Sequence, residues 1–488
     1  MYTKKLLFAL WDLVAFMSLT SFPFFIFYLV IFFVCLLVED RNEQKKTVLI
    51  LASYYFYMTI DWRFSFLLLS LTAINYFCGS VILRSNSQRI KKIAVSAALL
   101  LSLSILFYFK YANFFIDSVL QLLSFSFFER DQLIIQVVLP VGISFMTFQA
   151  ITYPLDIYAE RIKSSSSIKD FVLFMSFFPQ LLSGPIVRAS YFLPQLKQTA
   201  KANNKNLSEG LVLVVSGLVK KIIIADILAV QIVDPAFNTP HEYSSAFLVF
   251  SLVAFSFQIY MDLSGYTDIA LGTGKMLGYD LPINFNRPYI ATSVANYWQR
   301  WHISMSSFFR DYLYGAIADW SWCNLYIKVL IVFVAVGLWH GAGWNFVVYG
   351  LIHGSFVGLE HFFKNRRLQA NKPPYVYRGF LLGLRVFQVF SIVSLTRILF
   401  RCDDVASAFD YVVSMFTSSV EAFPVTALSA CVLALSVVTH FVPVKWKDLL
   451  LAGFIRLPVA VSAGVATLII YLMIALDTNK SAFLYFQF

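Results

Sequence analysis

The sequence predicts an all-α polytopic membrane protein, and three observations carry that prediction. Hydrophobic residues make up 59% of the 488-residue chain and charged residues only 13%, whereas a soluble domain is about a quarter charged. Apolar runs close to the ~20 residues that cross a bilayer succeed one another from end to end with short connections. The Lys and Arg behind the net charge of +11 fall in those connections, where basic residues orient spans and meet anionic lipid. No basic stripe interleaved with stacking aromatics stands apart from a span, so no nucleic-acid partner is expected. The expectation is a single membrane-embedded domain over residues 1–488.

Residues 1–16 carry Lys4 and Lys5 before an apolar stretch that Asp12 interrupts. No small-residue cleavage site comes after it, so this reads as an N-terminal extension or interfacial helix, not a removed signal peptide. Spans are expected near 18–38, 64–83, 93–109, 133–151, 210–230, 245–261, 326–340, 344–363, 380–400, 424–442 and 454–476, about eleven in all by the length rule. Shorter apolar pieces at 47–60, 114–128 and 171–187 suit re-entrant or interfacial helices, because irregular backbone at membrane depth must be covered by protein or line a water-filled cavity. The basic loop Arg84–Lys92 is cytoplasmic by the positive-inside rule. Counting spans from it puts the loop 160–170 inside and the N-terminus outside, with Lys4 and Lys5 against the trend.

One region has a different character. Between Tyr260 and Tyr314 the apolar runs break up, and Asp, Asn, Arg, His and Trp interleave. This polar and aromatic insert, 262–315, is expected to fold into the protein near the membrane interface. Two features in it are decoys. "LGTGKML" lacks the GxxxxGK[ST] spacing of a phosphate loop. Asp262 and Asp268 are six residues apart, which separates them on a helix and suits structural bonding. The five cysteines form no CxxC pair or His/Cys cluster, so no metal site is expected.

Of the six histidines, His241 sits in a polar loop, and His361 and His440 at span ends. His340 lies deep in apolar sequence, in "VGLWHGAGWNF". An ionisable group there points to function, and the plain alternative is a neutral ring on a backbone carbonyl. Gly337, Gly341 and Gly343 allow close backbone approach and suit a tunnel reaching the ring. His302, in "NYWQRWHIS", would share a helix face with Trp298, with Arg300 and Arg310 flanking. His353 would face away from His340 on one continuous helix and reads as structural. A neutral imidazole can take a proton from a hydroxyl that attacks a thioester, and no GxSxG elbow offers a serine nucleophile instead. A transporter or lipid flippase with a histidine-lined proton path is the competing reading. The C-terminal segment 480–488, "KSAFLYFQF", reads as an interface anchor, although Tyr485 near a free end is a phenol able to enter a pocket.

Several long stretches together resemble one family. "LPVGISFMTFQAITYPLDIY", "FFPQLLSGPIVRASYFLPQL", "QIYMDLSGYTDIALG", "LPINFNRPYIATSVANYWQRWHISMSSFFRDYLY", "GLWHGAGWNFVVYGLIHG" and the terminal "FLYFQF" are similar to the membrane-bound O-acyltransferases, in particular the bacterial branch that O-acetylates exported polysaccharides. The resemblance implies a ring of tilted helices around a central tunnel in the bacterial inner membrane, where the outside N-terminus of the span count would be periplasmic. It implies that His340 is the general base and that His302 orients or polarises the acyl carbonyl. The donor would be a cytoplasmic thioester, acetyl-CoA or another acyl thioester, with no bound cofactor. A periplasmic SGNH-type acetyltransferase and the polysaccharide export or synthase machinery would be partners. Tyr485 becomes a candidate acyl relay. Arg287, Arg300, Arg310, Trp298 and Trp339 become candidates for donor binding or support. A D-alanyl or fatty acyl group is the alternative cargo. "GAIADWSWCN" departs from the Pro- and Gly-rich loop usual after "RDYLY", which leaves the acceptor open.

Overall fold

A computed structural model describes residues 17–123, 134–135, 138–182, 184–201, 203–373 and 375–443, with scattered positions between 445 and 471. The extension 1–16, most of the span expected at 454–476, and the tail 480–488 with Tyr485 lie outside the described residues. Among the described residues there are helices and no strands. Five helices among the described residues are long and apolar enough to cross a bilayer: Phe64–Arg84, Gln88–Leu122, Ser245–Met276, Trp344–Gln369 and Gly379–Arg401. Phe22–Leu37, Leu325–His340, Val405–Thr417 and Ala427–Phe441 are shorter apolar helices. The run expected as one span at 210–230 is broken into Asn204–Leu218 and a series of π and short α turns.

The chain divides into two compact units: Met1–Leu218 with Tyr266–Pro282 and Gly453–Ala475, and Val219–Gly265 with Ile283–Ala452 and Leu476–Phe488. In the first, Ser21 caps Phe22–Leu37 by accepting from the Phe24 N–H. The rings of Phe24, Phe56 and Phe178 pack edge to face behind it. Buried Lys45 donates to the carbonyls of Ala200 and Leu277, and buried Lys46 pairs with Glu43 and Asp170. Large side chains such as Leu37, Leu51 and Phe77 face outward at 86%, 67% and 70% exposure, which suits lipid, not water.

The second unit holds the region of interest. Its buried Lys221 pairs with Asp226 at 2.7 Å and Asp262 at 2.9 Å. Asp262 is therefore structural, bonded to a lysine. The helix Ser245–Met276 runs well past the expected end at 261, so the first part of the insert is a continuation of a span. The helix stops where Gly278 takes φ +91°, a conformation that other residues adopt at a cost. From 283 to 314 the chain is irregular, a succession of short helices joined by turns.

Candidate active site

His340 is the last residue of Leu325–His340, whose first turn is capped by the Asn324 side chain accepting from Tyr326 and Ile327. Gly341 continues in extended conformation, and Trp344–Gln369 runs back alongside. The glycines let these two helices meet backbone to backbone. A Cβ at Gly337 would collide with the Phe346 carbonyl, one at Gly350 with the Phe333 carbonyl, and one at Gly341 with the Phe346 ring. Their space is spent on helix packing and on Phe346, which differs from the expected opening toward the ring. His340 is buried at 1% exposure among the rings of Trp339, Tyr349 and Phe400.

His302 is held in another way. The expected helical pairing with Trp298 does not occur, because the helix Val294–Trp298 ends there. His302 instead takes a left-handed conformation, φ 45° and ψ 53°, before the helix Ile303–Phe308. That conformation costs roughly 1–2 kcal/mol for a residue with a Cβ, and the surroundings enforce it. The Asn284 carbonyl accepts the Ile303 N–H at 2.9 Å. The Asn284 side chain accepts both the Ser304 N–H and its hydroxyl. The Asn286 N–H donates to the Arg300 carbonyl at 2.8 Å. Two chain segments are thereby pinned on either side of His302, which is 2% exposed. Burial pushes its pKa down to about 3, so the ring is neutral near pH 7.

Trp339 joins the two. Its indole meets His302 edge to face at 5.2 Å between ring centres and His340 at 5.0 Å. The histidines are one indole apart. His353, by contrast, has both nitrogens committed. Nδ1 accepts from Trp298 Nε1–H at 3.2 Å, and Nε2 lies 2.9 Å from the Thr396 hydroxyl. That hydroxyl donates to the Val393 carbonyl, so Nε2 carries the proton and the tautomer is set. These bonds hold His353 in place with Trp298 as a partner, whereas the expected geometric reason does not apply, because the chain breaks at Gly341 and the two histidines lie on different helices.

The arginines divide similarly. Arg287 donates to the carbonyls of His440 and Phe441 at the end of Ala427–Phe441. Arg300 holds Asn296 and the Asn286 carbonyl. Arg310 pairs with Asp311 at the surface. Arg287 and Arg300 thus fasten the insert. His440, expected at a comfortable span end, is buried and accepts the Tyr289 N–H.

Sequence reasoning missed two residues. Arg397 is 2% exposed in the Gly379–Arg401 span. It donates to Tyr289 Oη at 2.6 Å, Tyr297 Oη at 2.9 Å and the Ser256 carbonyl, and it stacks on Trp301. Among the described residues no carboxylate pairs with it. It ties a span to the segment that precedes His302. An arginine in an apolar run was the available signal. Asn284 had no comparable signal, since its role depends on a chain reversal that only the fold reveals.

The sequence profile of the membrane-bound O-acyltransferase family matches residues 158–402, which include both histidines. The probable alginate O-acetylase of Pseudomonas aeruginosa is 34% identical over 364 residues, 73% of this chain and 67% of that protein. The peptidoglycan O-acetyltransferase of Helicobacter pylori is 33% identical over 384 residues, covering 72% and 70%. The teichoic acid D-alanyltransferase of Bacillus subtilis is 28% identical over 238 residues, covering 46% and 59%. With buried histidines inside the matched segment and apolar helices of spanning length, the chain belongs to the membrane-bound O-acyltransferase family and is a membrane O-acyltransferase.

Proposed function

We propose that this enzyme moves an acetyl group from a cytoplasmic thioester across the bacterial inner membrane for O-acetylation of an exported or cell-wall polysaccharide. His340 takes the proton of an acceptor hydroxyl as its oxygen attacks the thioester carbonyl. The C–S bond then breaks, and the departing thiolate takes the proton back from the imidazolium. His302 orients the carbonyl. The observation that carries this reading is the single indole, Trp339, packed against both buried histidine rings. A base works only within reach of its proton, and this packing gives the two rings one shared neighbourhood. Acetyl is favoured over D-alanyl because relatives named for O-acetylation match more of the chain at higher identity. Membership of an acyltransferase family takes the place of the transport reading.

The remaining parts belong to the same proposal: about eleven spans by the length rule, a periplasmic N-terminus, an SGNH-type periplasmic partner, and the polysaccharide export or synthase machinery. Tyr485 is proposed as an acyl relay between the thioester and that partner. The test is a donor panel. Purified protein is incubated with acetyl, D-alanyl and long-chain acyl thioesters, and free thiol release and intact mass are followed. Acetyl thioester loss with a mass gain on the C-terminal peptide is expected. Preference for another acyl group would overturn the acetyl assignment, and an unmodified tail under turnover would remove Tyr485 from the path.

A further inference from the structure

A polar recess of about 470 Å³ lies at the end of the Gly379–Arg401 span nearer His340. The Phe400 ring packs on His340 at 5.0 Å between ring centres, and the next residue, Arg401, lines the recess. Charge assigns its side of the membrane. Residues 364–372, at the opposite end of Trp344–Gln369, carry four basic residues and no acidic one, which places that end in the cytoplasm. At the start of the same helix the Asn345 amide donates to the carbonyls of Leu399 at 3.1 Å and Cys402 at 2.9 Å. The start of one span and the end of the other are therefore level, and the recess opens on the outer face.

One wall is the turn 237–242, and the other is the start of the helix Val405–Thr417. His241 clamps the two, with Nε2 at 2.9 Å from Asp410 and Nδ1 at 3.2 Å from the Ser414 hydroxyl. Phe237 stacks on Tyr411 at 4.2 Å between ring centres. These contacts set the shape of the recess in advance, which lowers the ordering cost of binding. The charges do not balance. Arg401 pairs with Asp234 at 2.9 Å, and a protonated His241 offsets only Asp410. Glu242 accepts the neutral Thr239 hydroxyl at 3.1 Å. Asp403 makes no hydrogen bond or ion pair with any described residue. Glu242 and Asp403 thus leave a surplus of negative charge in the recess, and such a field excludes anions.

The volume lies within the range of ligand clefts, about 300–1,000 Å³. Carboxylates, the Asn238 amide and the Ser407 hydroxyl line it together. A sugar hydroxyl both donates and accepts, so it matches that mixture. A protein partner needs aromatic or apolar anchors at the centre of its contact. The exposed aromatics of the same helix, Phe409 and Phe416, are not among the lining residues. We propose that the recess holds a segment of the acceptor polysaccharide on the outer face, and that it selects glycans free of carboxylate and phosphate groups. This rests on the polysaccharide reading of the proposed function and adds the charge class of the acceptor. A polymer held there lies one residue along the chain from the ring that covers His340.

The experiment uses the full chain in nanodiscs of neutral lipid. Binding of a neutral β-glucan oligosaccharide, an oligo-uronate of equal length and a lysine-rich peptide is read by calorimetry at low and high salt. The native chain should bind the glucan about tenfold more tightly than the uronate. Added salt should narrow that gap, because screening weakens the repulsion. Glu242→Gln with Asp403→Asn should close most of the gap by tightening the uronate. Asn238→Ala should weaken the glucan about tenfold. Uronate binding as tight as glucan binding in the native chain would overturn the assignment, and so would a gap that the charge variant leaves unchanged. Binding of neither glycan also overturns it, and the peptide binding in their place would give the recess to a protein partner. If the charge variant does not reach the native unfolding temperature, the native comparison and its salt series decide alone. Acetyl thioester consumption is followed in the same preparation. No consumption would remove the proposed transfer while the binding data still decide the recess; consumption without glycan preference would remove the recess alone.

Discussion

His340 and His302 touch the same indole, yet the protein holds them by opposite means. His340 ends a regular helix whose position is set by missing side chains: Gly337 and Gly341 leave room that the Phe346 carbonyl and ring fill. His302 sits in irregular chain, in a left-handed conformation, where polar pins from Asn284 and the Asn286–Arg300 backbone bond set its place. The first support is steric and fails sharply. The second is a sum of hydrogen bonds and fails in steps. The proposed roles, base for His340 and carbonyl orientation for His302, require the two rings to be registered to each other, and the two supports converge on Trp339.

The sharpest way to break that contrast is on the hairpin. Gly337→Val places side-chain atoms against the backbone carbonyl of Phe346, which cannot move aside as a side chain can. Overpacking of this kind costs about 1–3 kcal/mol or more, so the unfolding temperature should fall by several degrees and acyl transfer should be lost with it. A variant that unfolds at the native temperature would show that the helix contact is soft.

On the insert the effect should be graded. Asn284→Ala removes the acceptor for the first turn of Ile303–Phe308, a capping loss of about 1 kcal/mol. Activity should fall more than stability does, because small displacements of a reacting group cost far more in rate than in folding. Equal losses, measured by thermal unfolding and kcat/KM, would reduce Asn284 to a stabilising residue. His302→Gly and His302→Ala sharpen the same point. Both lose the ring, but glycine accepts φ 45° without the penalty of roughly 1–2 kcal/mol carried by alanine. The glycine variant should therefore unfold at the higher temperature, with both equally impaired in transfer.

The smallest expected effect is on pH dependence. Burial holds His302 near pKa 3 in the folded state, whereas an unfolded histidine titrates near about 6.5. Below that value the unfolded chain takes up the proton first, so stability is present above about pH 6.5 and declines as the pH falls toward 3. His302→Gln should make the drop in unfolding temperature between about pH 7 and pH 5 smaller. A larger drop in the variant would contradict a neutral buried ring.

Much of the His340 support was legible in the sequence, and little of the His302 support was. An apolar run that stops at a histidine between glycines announces a tight hairpin, although the glycines serve helix contact and not the tunnel that they suggest. The insert hides its geometry because its chain reversals fall at Arg287 and His302, where no glycine marks them. The helix that runs on to Met276 was obscured by its own polar residues: Asp262 looks like an interruption until Lys221 is seen to neutralise it. Arg397 was visible as a charge in an apolar span, but its phenolic partners Tyr289 and Tyr297 are remote in sequence and only the fold assembles them. The span count stayed hard for a related reason. Apolar length alone does not separate a full crossing from the π-interrupted segment after Leu218.

The central claim is that His340 is the base in acyl transfer from a thioester. The most direct measurement is the rate of acetyl thioester consumption by purified His340→Ala protein, in a preparation whose unfolding temperature matches that of the native chain. Loss of a positioned general base lowers rates by roughly 10²–10⁴-fold, and a loss in that range with donor binding retained is the predicted result. Consumption at the native rate would contradict the account.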